Sequence, residues 1–231
     1  MTAKGASGDD DAQARRDLNP LKQLERKFRH ARGLVWARLL RWPKILLMRF
    51  RRNLPRRLHV GCGNNRFEGW INADITADSE LIVYMEKPLP FRNGSLMRVY
   101  SEHVIEHVPY EVAQGFLKEV RRVLAPGGVV RIATPDLETL VEAYARKDWR
   151  SRICWAGTED YAFLRTRAQF LNVSLRWWGH RHVYDREELE RVFQDAGFGK
   201  PSFPGFGESD HEDLRGLETR QDSYLIAEAI R

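Results

Sequence analysis

The sequence contains little of what several classes of protein require. Only two of its 231 residues are cysteines, Cys62 and Cys154, so a disulfide framework is excluded. Its N-terminal part has no apolar run longer than residues 45–48, which is too short to cross a bilayer. The opening residues, "MTAKGASGDDDAQARRD", lack the apolar stretch of a secretory signal peptide. These absences favour a globular protein in a reducing cytoplasm.

Positive charge is concentrated in one segment. Residues 15–57 carry fifteen lysines and arginines against two acids, a local balance of +13, whereas residues 58–231 sum to −5. We therefore expect a disordered tail at 1–16, a basic helical arm at 17–56 and one domain at 57–231. Because the domain itself is mildly acidic, nucleic acid is an unfavoured partner.

The basic arm has the spacing of an amphipathic helix. Its apolar residues recur at helical intervals, at Val35, Leu39, Trp42, Leu46 and Phe50. Two interpretations stay open: the apolar side packs against the domain, or residues 21–57 lie on an anionic membrane surface on the cytoplasmic side.

From residue 57 onward, short apolar runs alternate with helical patterns. Strands are predicted at 57–61, 70–75, 96–101, 129–134 and 222–230. Helices are predicted at 109–124, 135–146 and 185–198. This alternation predicts an α/β fold with a mostly parallel sheet and helices on its faces.

The first strand ends in a glycine turn, "LHVGCGNN". Gly61 and Gly63 allow the backbone to turn sharply and to approach a ligand closely. Asp74, at the end of the next strand, can accept hydrogen bonds from both hydroxyls of a ribose. A tight turn followed by a capping aspartate is the simpler alternative.

Six ordered segments of the chain resemble the class I S-adenosylmethionine-dependent methyltransferases, in particular a small bacterial branch. They are "LHVGCGNN…WINADIT", "PLPFRNGS", "VYSEHVIEHV", "FLKEVRRVLAPGGVVRIATPD", "YDREELERVFQDAGF" and "YLIAEA". The resemblance covers roughly residues 58–231. It implies a Rossmann-like, doubly wound sheet of seven strands and S-adenosylmethionine as cofactor.

The resemblance also implies roles for individual residues. Gly61, Cys62 and Gly63 would pass beneath the methionine part of the cofactor, and Asp74 would hold its ribose. Ser101 and Glu102 would border its methionine end, and Glu86 would contact its adenine. Since only residues 64–73 separate Gly63 from Asp74, no ordinary crossover helix fits there, and we expect the basic arm to cover the face left bare.

The string His103-Val104-Ile105-Glu106-His107 reads as H-x-x-E-H, a zinc-peptidase spacing. Pro109 disfavours the stable helix that two helical zinc ligands need, so no metal is expected and a zinc hydrolase is a minor alternative. In the resembling family, such a string follows the fourth strand without metal. By this resemblance, the string marks the place where a methyl acceptor would meet the cofactor.

A hydroxyl or amine acceptor benefits from a base, for which His103 and His182 are the main candidates, followed by His180. The aromatic-rich segment 147–184 is expected to be a lid over the acceptor. The sequence therefore predicts methyl transfer to oxygen or nitrogen of a small-molecule, glycan or lipid-linked acceptor. A protein that binds S-adenosylmethionine without catalysis is the alternative.

Overall fold

The computed structural model of the protein describes residues 35–48 and 55–231. The tail predicted at 1–16, and much of the arm, lie outside the described residues. Strands occupy β1 (Arg57–Val60), β2 (Ile71–Asp74), β3 (Leu81–Ile82), β4 (Leu96–Glu102), β5 (Leu124–Thr134) and β6 (Leu225–Ile230). Helices are α1 (35–48), α2 (Tyr110–Val123), α3 (Leu137–Ala145), α4 (Trp149–Arg152), α5 (Arg167–Arg176) and α6 (Arg186–Asp195).

The strands form one sheet in the order β3-β2-β1-β4-β5-β6. The first five are parallel, and β6 is antiparallel to β5. The predicted doubly wound, Rossmann-like fold is confirmed, with six strands among residues 35–48 and 55–231 in place of the expected seven. Where the seventh strand was expected, on the outer side of β6, Ser202 forms a single bridge with Glu228.

Local sequence explains where the helices begin. The Asp136 side chain accepts hydrogen bonds from backbone N–H groups at the start of α3, and Asp185 does the same for α6. Thr166 and Gln169 form a reciprocal capping box at the start of α5. In α2, the buried residues recur at helical spacing and face the sheet.

The two faces of the sheet are covered differently. Leu58, Val99 and Val130 point toward α2 and α6, in the main apolar core. On the opposite face, His59, Tyr100 and Arg131 are buried. The apolar residues that cover them come from loops and a short 3₁₀ helix, namely Phe67, Trp70, Leu214 and Leu217.

Helix α1 lies on the α2 face. Its residues Ile45 and Met48 belong to the same core cluster as the buried side of α2. In the strand order, the chain moves from β1 to β2 in one direction across the sheet and from β4 to β5 in the other direction. Because crossovers between parallel strands are right-handed, these two connections lie on opposite faces of the sheet. For the described part of the arm, residues 35–48, the expectation that it covers the face of the missing β1–β2 helix is therefore wrong. Instead, α1 lies on the face of the β3–β4 crossover, whose residues 83–95 contain no helix.

The predicted lid region folds around its own apolar cluster. Helices α3, α4 and α5 surround buried residues that include Trp149, Tyr161 and Phe170. This cluster is separate from the main core. Among the described residues, no helix has both the length and the apolar character that spanning a membrane requires.

Candidate functional site

The glycine turn and Asp74 come together as predicted. The backbone N–H groups of Gly61 and Cys62 donate to Ala73 O, at 2.8 and 3.1 Å, which ties the turn to the end of β2. Gly63 N donates to Asp74 Oδ2 at 2.9 Å. The carboxylate of Asp74 therefore lies directly beside the turn, at the carboxyl edge of the sheet, where open α/β folds bind ligands.

The two glycines are needed for different reasons. Both have left-handed backbone conformations, with φ of 75° at Gly61 and 47° at Gly63. A Cβ on Gly61 would collide with the Val104 side chain, so this position is closed by the protein itself. A Cβ on Gly63 would meet nothing within 4 Å, so the backbone there is open to a ligand.

Two further residues of the predicted cofactor site are buried, Cys62 in the turn itself and Ser101 in β4 beside the end of β1. Burial raises the pKa of the Cys62 thiol to about 11, and the Asp74 charge adds to this effect, so Cys62 is a neutral packing residue. Ser101, in β4, has a buried hydroxyl without a hydrogen-bond partner among the described residues. The open backbone at Gly63, the Asp74 carboxylate and this hydroxyl fit the polar groups of S-adenosylmethionine.

Glu102 holds a distant segment of the chain. Its carboxylate accepts hydrogen bonds from Thr219 N, Arg220 N and the Ser223 hydroxyl, at 2.7 to 3.1 Å. The Thr219 hydroxyl also donates to it, at 2.6 Å. Glu102 thus anchors residues 219–223 over the end of β4, and its predicted contact with the cofactor stays a prediction.

Glu86 lies in the segment after β3, and its side chain is exposed. The neighbouring Tyr84 is half-buried, and its hydroxyl has no hydrogen-bond partner among the described residues. The adenine contact predicted for Glu86 stays a prediction.

His103 follows β4 in a strained conformation. Its φ of 52° makes it the only non-glycine residue with positive φ in the described part of the chain. Its ring lies between two carboxylates, with Nδ1 3.2 Å from Glu106 Oε1 and Nε2 3.6 Å from Asp222 Oδ1. The buried Nε2 atom has no hydrogen-bond partner in the described residues.

The two carboxylates beside His103 favour their ionised forms. Burial alone would raise the pKa of Glu106, but the close approach of the His103 ring, whose Nδ1 is 3.2 Å from Oε1, holds it below its ordinary value. Glu106 is completely buried and also accepts a hydrogen bond from the Thr134 hydroxyl at 3.1 Å. The pKa of Asp222 is likewise lowered, because the charges of His103 and Arg220 outweigh its burial.

A cavity of about 490 Å³ opens beside His103. Its polar walls include His107, His180, Arg220 and Asp222. Its aromatic walls are Trp155, Trp177, Trp178 and Tyr224, most of them from the predicted lid. The cavity therefore combines flat apolar surfaces with ionisable groups, as small-molecule sites commonly do.

Two of the cavity histidines also approach Glu106. Ligand atoms of Glu106, His107 and His180 lie within 4.8 Å of one another, a grouping that could hold a metal ion. His180 Nδ1, however, is 2.8 Å from Ser174 O, and Glu106 Oε1 is nearer to His103 Nδ1 than to His107 Nε2, at 3.2 against 3.9 Å. Burial lowers the pKa of His180, which favours its neutral form.

His182 lies outside the residues that line this cavity. Its Nε2 is 3.0 Å from Glu188 Oε1 on α6, and its ring contacts Tyr110 and Tyr184. A catalytic role for His182 stays a prediction, and the cavity brings His180 rather than His182 close to His103.

Sequence reasoning missed Asp222, Arg220 and Tyr224. They precede β6, which runs antiparallel to its neighbour. The residues just before such a strand lie at the carboxyl ends of the parallel strands, beside His103. The sequence predicted the closing strand but not its direction. An antiparallel closing strand would have placed these three residues at the carboxyl ends of the parallel strands.

A family profile described as "Methyltransferase domain" matches residues 41–200, more than half of the chain. The chain belongs to this methyltransferase domain family. It is a class I methyltransferase, and its methyl donor is S-adenosylmethionine. Comparison with curated proteins found no match.

Several solved structures of S-adenosylmethionine-dependent methyltransferases are distantly similar to this chain. The Thermotoga maritima protein is 14% identical, with 87% of this chain and 94% of that chain covered and a TM-score of 0.47. The Archaeoglobus fulgidus protein is 17% identical, with 92% and 100% covered and a TM-score of 0.47. The Mesorhizobium loti protein is 19% identical, with 82% and 97% covered and a TM-score of 0.46.

Proposed function

We propose that this methyltransferase transfers a methyl group to an oxygen or nitrogen of a small-molecule, glycan or lipid-linked acceptor bound in the cavity beside His103. The observation that carries the proposal is the His103 ring, whose Nδ1 lies 3.2 Å from Glu106 Oε1 and whose Nε2 has no hydrogen-bond partner among the described residues. A hydroxyl or ammonium acceptor must lose a proton on methylation, and imidazole is the usual base near neutral pH.

The donor supplies a methyl group on a sulfonium, which is a reactive electrophile with a good leaving group. The protein therefore has to align the acceptor, exclude water and receive a proton. A proton on His103 Nδ1, directed at Glu106 Oε1, leaves Nε2 as the basic nitrogen. In this arrangement Nε2 takes the acceptor proton, and the Glu106 and Asp222 carboxylates stabilise the resulting imidazolium.

The walls of the cavity support a flat or sugar-like acceptor. Trp155 and Trp178 contact each other edge to face, with ring centroids 4.9 Å apart. Such rings offer apolar faces on which a sugar or an aromatic ring can stack. Arg220 lines the same cavity and is paired with Asp222 at 3.3 Å, so it contributes hydrogen-bond donors more than free positive charge.

Two alternatives are tested by the same purified protein. A binding protein without catalysis would take up S-adenosylmethionine and form no S-adenosylhomocysteine. A zinc hydrolase would use His103, Glu106 and His107, and would contain stoichiometric zinc. The short 3₁₀ turn at Ile105–His107 supports neither helical ligand spacing nor the peptidase arrangement.

The decisive experiment supplies methyl-labelled S-adenosylmethionine together with fractionated small molecules, glycans or lipid extract. We expect S-adenosylhomocysteine and one methylated product in equal amounts, with mass spectrometry locating the methyl on oxygen or nitrogen. Methylation at carbon or sulfur would contradict the proposed acceptor class. Binding without turnover in every fraction would favour the non-catalytic alternative.

We also propose that the enzyme works on the cytoplasmic side of a membrane as a peripheral protein. The support is the charge distribution, since residues 15–57 carry a balance of +13 while residues 58–231 carry −5. Anionic lipid attracts such a basic segment and leaves the acidic domain in solution. Co-sedimentation with anionic vesicles that disappears at high salt is the expected result, and recovery in the supernatant at low salt would contradict it.

A further inference from the structure

One side of α1 exposes apolar side chains at high density. Thirteen large apolar side chains are exposed in the described part of the chain, and six of them lie on this helix, each 55–69% exposed. They are Val35, Trp36, Leu39, Trp42, Leu46 and Leu47. The spacing of 35, 39, 42 and 46 is that of one helical stripe, the stripe that the sequence predicted as the apolar side.

Most of that stripe faces away from the domain, because the opposite side of α1 is anchored, and Trp42 and Leu46 also border a groove against residues 87–90. Ala37, Ile45 and Met48 are buried. Lys44 Nζ donates to Ala77 O at 2.6 Å and also to Ser79 O. Turning the apolar stripe inward would break these contacts, so the packing of this helix does not explain the stripe.

Charge indicates what binds the stripe. Residues 35–57 contain no aspartate or glutamate, whereas Arg38 is exposed beside the stripe and Arg41 is half-buried. Tryptophan and leucine on one side of a helix with arginine and lysine along its flanks are typical of helices that lie in the interface of an anionic bilayer. The same charges would repel a second copy of this helix.

We infer that α1 lies in the surface of an anionic bilayer and inserts its six exposed apolar side chains, while its other side holds the methyltransferase domain. This inference rests on the proposed membrane location and adds the inserted face. Because α1 is anchored through Lys44, Ile45 and Met48, insertion of the stripe also sets the orientation of the domain on the membrane.

The test compares two triple variants of the full chain. The first is Leu39→Ser, Trp42→Ser and Leu46→Ser, which removes the centre of the stripe and changes no charge. The control is Val141→Ser, Phe206→Ser and Ile230→Ser, which removes three exposed apolar side chains elsewhere, each 47–57% exposed. Partition is measured on vesicles of phosphatidylcholine alone and of phosphatidylcholine with about one third phosphatidylglycerol.

We expect the wild type and the control to bind the anionic vesicles, and the stripe variant to partition at least tenfold more weakly with an unchanged melting temperature. If the stripe variant binds as well as the wild type, charge alone provides the attachment, and the insertion fails while the membrane location stands. If the wild type binds no vesicles, both fail. Concentration-dependent self-association that only the stripe variant loses would overturn the inference in favour of a second copy.

Discussion

The proposed cofactor end and the proposed acceptor cavity lie at the same edge of the sheet but are built in different ways. The cofactor end is local: residues 61–74 supply its glycine turn and its carboxylate, and its shape depends on backbone conformation. The cavity gathers side chains from His103 to Tyr224. The difference implies that substitutions at the first site change cofactor binding, whereas substitutions at the second change turnover.

The largest effect is expected at His103. Its replacement by alanine removes the proposed base, so kcat should fall by roughly 10²–10⁴ while the Kd for S-adenosylmethionine is unchanged. His182→Ala is the matched control, because this histidine lies outside the cavity lining. Steady-state kinetics decide, and a larger loss of kcat for His182→Ala would reverse the assignment.

The next effect concerns Asp74. Asp74→Ala removes the carboxylate proposed to bind the ribose, and binding should weaken by roughly 1.5–3 kcal/mol, the range for hydrogen bonds to charged groups. Calorimetric titration with S-adenosylmethionine measures it. Asp78→Ala, an exposed acid paired with Arg66, serves as the control and should bind normally. Equal binding by wild type and Asp74→Ala would place the nucleoside elsewhere.

Glu106→Gln should lower the free energy of unfolding by an amount that depends on pH. The folded-state pKa of Glu106 lies below its ordinary value of 4.5, so its ionised form stabilises the fold above that pH. Near neutral pH the variant should lose roughly 1.5–3 kcal/mol of unfolding free energy, as for a charged hydrogen bond. The stabilisation is lost as pH falls through the lowered pKa, so the difference from wild type should shrink below about pH 4.5.

Urea unfolding at several pH values between neutrality and about pH 3 measures this convergence. A difference that stays constant over the whole range would show that Glu106 contributes through its shape rather than its charge.

The smallest effect on stability is expected at Gly63. Gly63→Ala introduces a left-handed alanine with no steric contact, which should cost about 1–2 kcal/mol of unfolding free energy. Its Cβ would occupy the space open to the ligand, so S-adenosylmethionine binding should be impaired while the protein remains folded. Gly61→Ala should destabilise more, because its Cβ collides with Val104. Similar melting temperatures for the two variants would contradict this distinction.

Much of the framework could be predicted because it depends on neighbours in the chain. Three features depend on residues that are close together in the sequence. They are the individual strands, the helices capped by Asp136 and Asp185, and the association of Gly63 with Asp74. The predicted β5 began at residue 129, whereas the strand starts at Leu124. Its register shifts opposite Leu96 and Arg98, and propensity at "APGG" does not reveal that pairing.

Side-chain partners distant in sequence could not be predicted. Glu102 binds the N–H of Arg220, 118 positions later, and Arg131 is buried between Glu218 and Glu228 with contacts of 2.6 and 2.5 Å. No local periodicity encodes such pairs. They exist because folding removes these charged groups from water, and each must then be satisfied by whichever group the topology brings near.

The amino-acid order alone was sufficient for the fold class and the glycine turn, since each depends on short-range patterns that physical chemistry restricts to few outcomes. The cofactor followed from the resemblance of its motifs to a known family. Folding in three dimensions was needed to determine which side of α1 contacts the domain, which histidine reaches the cavity, and that Asp222 lies beside His103. The reason is that burial and ion pairing depend on distances in space, and amphipathic spacing identifies a stripe without stating what will cover it.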